Sequence, residues 1–135
     1  HRVATAAARP RAVIVTGDDV YAHFRYLAAL ETETLWAVAL DARGRVLREA
    51  QVGLGGLLQC SLRPADVLKL LLRENAASAI IVHNHPSGDP EPSLQDVALT
   101  RRLADACRVV GLRLLDHVVV GRDGFVSLRE RGVLG

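Results

Sequence analysis

Along the chain the apolar positions change their spacing from one segment to the next, and the changes mark the elements. In DDVYAHFRYLAAL, Val20, Phe24, Leu27 and Leu30 recur at helical intervals behind Asp18 and Asp19, which predicts a helix that either aspartate can cap. ETLWAVALD then reads as a strand, ARGR as a turn and VLREAQVG as a second strand, so the two should pair as a hairpin. Gly53, Gly55 and Gly56 punctuate a loop, after which Pro64 suits the first turn of a helix running to about Glu74. SAIIVHNH is a short continuous apolar run, as expected of a strand buried on both faces. Ser93 caps a long helix, SLQDVALTRRLADACRVV, which ends near Gly111. LRLLDHVVVG and GFVSLRE close the chain as two strands around the turn RDG. This order of helices and strands predicts a three-layer α/β or α+β domain in which helices pack on a mixed sheet. No repeat or linker divides the chain, so residues 18–135 form one domain behind a lead-in at 1–17.

Composition sets bounds on function. With 135 residues, 50% of them hydrophobic and 24% charged, the chain can bury a core without staples. Its apolar runs fall well short of the roughly 20 residues that cross a bilayer, and no signal segment is visible. The chain begins at His1 and not at Met, as expected of a fragment or a processed product. The net charge of +2 comes from interleaved acids and bases with no like-charge block, which is weak support for nucleic-acid binding. Cys60 and Cys107 are too few and too far apart for a disulfide framework or a Cys-based zinc site, and are expected as free thiols in a reducing cytoplasm.

The chemistry concentrates where the apolar strand ends. His83 and His85 stand at i and i+2, so their imidazoles project together from one strand face while Asn84 points away. A catalytic zinc typically takes three protein ligands and keeps one open position, so two histidines aimed at one point call for a nearby carboxylate. The candidates are Asp89, in the loop, and Asp96, in the first turn of the next helix. Asp96 is favoured because Ser93 and Asp96, at i and i+3, share a helix face turned back to the strand end. Pro86, Pro90 and Pro92 stiffen the path between them.

These four positions read His-x-His, seven residues, Ser, two residues, Asp, and HNHPSGDPEPSLQD resembles the JAMM motif of MPN-type metallopeptidases, above all its RadC-like branch. GRVLREAQVGLGGL, RPADVLK and LLDHVVVG also resemble RadC-type segments in the right order. The resemblance implies an MPN or JAB domain, similar to the α-β-α architecture of cytidine deaminases. It implies a Zn²⁺ held by His83, His85 and Asp96, an upstream glutamate that activates water, and Ser93 as oxyanion partner. The glutamate belongs at the start of the first core strand, which points to Glu33, with Glu31 its rival on the same face. The activity implied is that of a zinc peptidase or isopeptidase acting on a peptide or ubiquitin-like protein. Asp89 and Asp116 are candidates to hold the far ring nitrogens of the histidines.

Other readings fare less well. HNH nucleases spread their three residues over a ββα unit, whereas here the letters are contiguous. Zinc deaminases need H-x-E and P-C-x-x-C, and neither is present. His117 is expected to be structural, and His23 has no assigned role. The alternative is a metal-stabilised, non-enzymatic binding module of a DNA-repair-associated RadC-type protein. Many such proteins carry a helix-hairpin-helix region before this domain, and it is absent from these residues. Without an aromatic-basic stacking surface, DNA recognition by this domain alone is not supported.

Overall fold

Five strands build one mixed sheet: β1 (Thr34–Leu40), β2 (Val46–Leu54), β3 (Ser78–Asn84), β4 (Arg113–Val120) and β5 (Phe125–Ser127), in the order β2-β1-β3-β4-β5. The computed structural model describes residues 12–55 and 62–134. Among the described residues three α-helices accompany the sheet: α1 (Gly17–Phe24), α2 (Pro64–Arg73) and α3 (Leu94–Val109). β3 and β4 pair in parallel, with α3 between them in sequence, and the other pairings are antiparallel. The architecture is the expected α+β arrangement, consistent with an MPN/JAB fold.

The period of two in the strands sorts their residues between two cores. Leu35, Ala37 and Ala39 of β1 and Ala79 and Ile81 of β3 meet Val67 and Leu71 of α2 and Leu99, Leu103 and Cys107 of α3. Val38, Leu40, Ile80 and Val82 face the other way, onto Val20 and Phe24 of α1. Every residue of β3 is buried, as the unbroken apolar run SAIIVHN requires of a central strand. The same alternation sends His83 toward α3 and Asn84 toward the opposite layer.

Both boundaries of α1 differ from expectation. Thr16 caps α1, accepting from Asp19 N while Asp19 reaches back to the cap backbone, so Asp19 is the third helical residue and neither it nor Asp18 is the cap. The α-helix stops at Phe24 and tightens into a 3-10 turn over Arg25–Ala29, which seats Leu27 at zero exposure. Residues just ahead of α1 pack on the sheet. Val13 bridges to Arg45, Ile14 is only 2% exposed, and Ile14 N donates to Gly44 O at 2.8 Å. Of the lead-in at 1–17, residues 1–11 lie outside the described residues, as does Cys60. Cys107 is free and buried, and burial raises its thiol pKa.

Candidate metal centre

Four side chains from three places in the sequence converge at the end of β3. Glu33, His83, His85 and Asp96 each offer one ligand atom, and these atoms lie within 4.8 Å of one another. His83 Nε2 stands 2.9 Å from His85 Nε2, 3.3 Å from Asp96 Oδ1 and 3.5 Å from Glu33 Oε1. His85 Nε2 is 3.2 Å from Asp96 Oδ2. Donors bound at about 2.0–2.2 Å around a tetrahedral ion sit roughly 3.3 Å apart, so the set has the spacing of a small divalent cation's ligands.

Each group has a local reason for its place. Glu33 directly precedes β1, on the parity of Leu35, which pairs with His83 across the sheet. Glu31 shares that parity but lies in a bend, exposed and outside the cluster. Asn84, fully buried, fixes Glu33 from behind. Its Oδ1 accepts from Thr34 N and Thr34 Oγ1, both at 2.8 Å, and its Nδ2 donates to Thr32 O at 3.1 Å. One amide thus clamps the residues on both sides of Glu33.

Asp96 is presented by the cap of α3. Ser93 Oγ accepts from Asp96 N at 3.1 Å, and Ser93 N donates to Asp96 Oδ2 at 2.8 Å, a capping box with aspartate in the third position. The Ser93 hydroxyl proton has no acceptor among the described residues. Asp89 enters through its backbone, since its carbonyl accepts from His85 Nδ1 at 3.0 Å while its carboxylate accepts from Glu91 N. The loop holding that carbonyl lies against Gly121, where an added Cβ would collide with Gly88 O.

The partner of His83 is one the sequence reading did not assign. His83 Nδ1 lies 2.7 Å from His117 Nε2, and His117 Nδ1 lies 2.6 Å from Thr100 Oγ1, which donates to Asp96 O at 2.8 Å. A hydroxyl has one proton, so with that proton on Asp96 O the His117 Nδ1–H must donate to Thr100. His117 Nε2 then accepts from His83 Nδ1–H, which leaves the His83 Nε2 lone pair facing the cluster. His85 arrives at the same tautomer, because a carbonyl can only accept. Asp116 does not serve here, since its carboxylate is occupied by Ser127 Oγ at 2.5 Å, His117 N at 2.7 Å and Arg129 N at 3.0 Å. The spacing of Thr100, one turn after Asp96, was readable as a shared helix face. The role of His117 depends on the register of β4 against β3, which no local pattern encodes.

The site's charges follow from these contacts. Burial works to raise the Asp96 pKa, but the adjoining His83 and His85 imidazoles and the Ser93 backbone amide outweigh it and hold the carboxyl well below the usual range. The Asp96 hydrogen bond raises the pKa of His85 against the opposing effect of burial. Complete burial and the neighbouring His83 push His117 far below the ordinary histidine value.

The last two shifts predict an unusual pH profile for the metal-free protein. Below about pH 6.5 an unfolded His117 takes up a proton that the folded one refuses, so stability falls as pH drops. Between about 6.5 and its raised folded value, His85 keeps a proton that the unfolded chain has released, so stability falls as pH rises. Stability should therefore peak near pH 6.5, each limb approaching about 1.4 kcal/mol per pH unit. Urea midpoints measured in chelator across this range check it, and a monotonic rise with pH would contradict it.

Comparison with known proteins gives matches along most of the chain. The family model for the RadC-like JAB domain matches residues 14–133. A UPF0758 protein of Syntrophotalea carbinolica is 42% identical over 127 residues, covering 93% of this chain and 56% of that protein. One from Desulforamulus reducens is 37% identical over 134 residues, 98% of this chain and 59% of the relative. One from Methanococcoides burtonii is 37% identical over 126 residues, 93% and 55% respectively. The chain thus spans somewhat more than half the length of these relatives. Among the described residues, no helix is long and apolar enough to cross a membrane.

Proposed function

The chain belongs to the RadC-like JAB domain family, and on that premise we propose that it is a zinc-dependent metallohydrolase that cleaves peptide or isopeptide bonds. The observation carrying this reading is the convergence of two histidine Nε2 atoms and the Asp96 carboxylate, with a second carboxylate, Glu33, beside them. Two imidazoles and one carboxylate suit zinc better than magnesium or calcium, which prefer all-oxygen sets. In this reading His83, His85 and Asp96 hold the ion and Glu33 does not. A zinc ion there supplies Lewis acidity and lowers the pKa of a bound water to about 7.

The chain's own residues supply the rest. Glu33, partly accessible and clamped by Asn84, accepts a proton at its carboxylate and delivers it to the leaving nitrogen. Ser93 Oγ–H, whose oxygen is fixed by the helix cap, donates to the developing substrate oxyanion. A donor in such a role is worth about 2.7–4 kcal/mol. A peptide or ubiquitin-like substrate is favoured over DNA because the cluster pairs a carboxylate base, Glu33, with a hydroxyl donor, Ser93, and among the described residues no Phe, Tyr or Trp belongs to it. The buried free thiol of Cys107 is compatible with a reducing, cytoplasmic setting. A cleavage screen of the zinc-loaded protein against peptides, ubiquitin-like conjugates and single- and double-stranded DNA tests the reading. We expect peptide or isopeptide cleavage that chelator abolishes. Zinc-dependent DNA cutting without peptide cleavage would reverse it.

A further inference from the structure

At the end of the sheet away from the metal centre, α3, the start of β4 and the C-terminal segment enclose a groove of about 420 Å³. Asp96 and Arg108 are twelve residues apart on α3, about 18 Å at 1.5 Å per residue. β4 runs from Arg113, in this groove, to Val120, which pairs with Asn84 beside the centre.

The groove has two chemical characters. The half-buried Leu112, Leu115 and Leu134 supply aliphatic surface, while Arg101, Arg108, Arg113 and Arg129 supply charge against a single acid among the described lining residues, Asp105. Four arginines and one aspartate give a formal charge of +3, whereas the whole chain carries +2, so everything outside the groove sums to −1. The positive charge of the protein is therefore concentrated here. Asp105 is answered by Arg108 at 3.1 Å, and Arg129 donates to Val15 O at 3.2 Å. The side chains of Arg101 and Arg113, both exposed, have no hydrogen bond or ion pair among the described residues.

We propose that this groove docks a polypeptide segment combining acidic and aliphatic side chains. Guanidinium forks bind carboxylates in bidentate fashion, and two of them are free to do so. The leucine surface would be idle beneath a bare inorganic anion but matches aliphatic side chains on the same strand of ligand. A nucleotide fits less well, because no lining residue is aromatic and no base could stack. An occupant at this distance leaves the metal centre clear, so the groove acts as a separate recognition site and does not depend on the metallohydrolase reading.

The test is fluorescence anisotropy of the full chain with a short fluorescein-labelled peptide of alternating Asp and Leu, measured with zinc and with chelator. We expect saturable binding that is the same in both conditions and weakens with salt. Arg101→Glu with Arg113→Glu should weaken it about tenfold or more, and the corresponding Gln pair by less, as electrostatic recognition requires. Arg102→Glu, on an exposed arginine of α3 outside the groove, should leave binding within about twofold. The same peptide with Ser in place of Leu should bind several-fold more weakly. All four arginines are exposed, so the variants should keep the parent's thermal midpoint. Absence of saturable binding, equal loss in Arg102→Glu, or equal affinity of the Ser peptide would overturn the proposal. So would a single-stranded oligonucleotide that binds more tightly than the peptide and is lost in the same double variant.

Discussion

Glu33→Gln should keep the fold and the metal yet lower turnover by about 10²–10⁴-fold, the usual contribution of a positioned acid-base group. Glutamine is isosteric with glutamate, and the backbone on either side stays clamped by Asn84 through Thr32 O and Thr34 N. What disappears is a carboxylate oxygen that can take a proton 3.5 Å from His83 Nε2. Asp96→Asn should separate the two acidic roles. Its oxygen can still accept from Ser93 N to keep the helix cap, but a neutral amide is a poorer zinc ligand, so metal affinity falls first. Metal content by elemental analysis, measured beside kcat on a substrate found by the cleavage screen, distinguishes the two outcomes. If Glu33→Gln stays active while Glu31→Gln does not, the assignment of the base moves by two residues. Should both stay active, neither glutamate is the base and that assignment fails.

The second large effect is on metal binding itself. Protein purified without added metal should hold about one zinc per chain, and His83→Ala/His85→Ala should hold essentially none. The physical reason is the pair of Nε2 atoms 2.9 Å apart, each with its other ring nitrogen committed as a donor, to His117 and to the Asp89 carbonyl. Two lone pairs and a buried carboxylate held this close need a cation or a proton between them. Zinc at about 100 times its Kd should therefore stabilise the parent by about 2.7 kcal/mol and the double variant by nothing. A double variant that retains a full equivalent of zinc would falsify the ligand assignment. Affinity should also decline toward acid pH, since a protonated His85 competes with the ion.

Much of this protein is legible without coordinates because its signals are local. The unbroken run SAIIVHN could only be a central strand, and period two then put His83 and His85 on one side with Asn84 on the other. Ser93 announced the start of α3, and the three-residue step to Asp96 turned that carboxylate back toward the histidines. The cap of α1 was misplaced by two or three residues, because Asp18 and Asp19 are as good cap formers as Thr16 and local propensity cannot rank them.

Tertiary structure decided what depended on register between segments remote in sequence. Glu31 and Glu33 have the same strand parity, and only the pairing of Leu35 with His83 brings one of them to the cluster. Asp116 and Asp89 looked like suitable partners for the histidines, but the carboxylate of Asp116 is spent on Ser127 and two backbone amides, and Asp89 uses its carbonyl. His117, by contrast, becomes the partner of His83 because β4 lies parallel to β3, a pairing set by the crossover through α3. Side-chain types and periodicity, carried by neighbouring residues, sufficed to place the histidines and Asp96. The groups that orient them are chosen by packing between strands and helices up to fifty residues apart, as Asn84 and Thr34 are, and no local pattern records that choice.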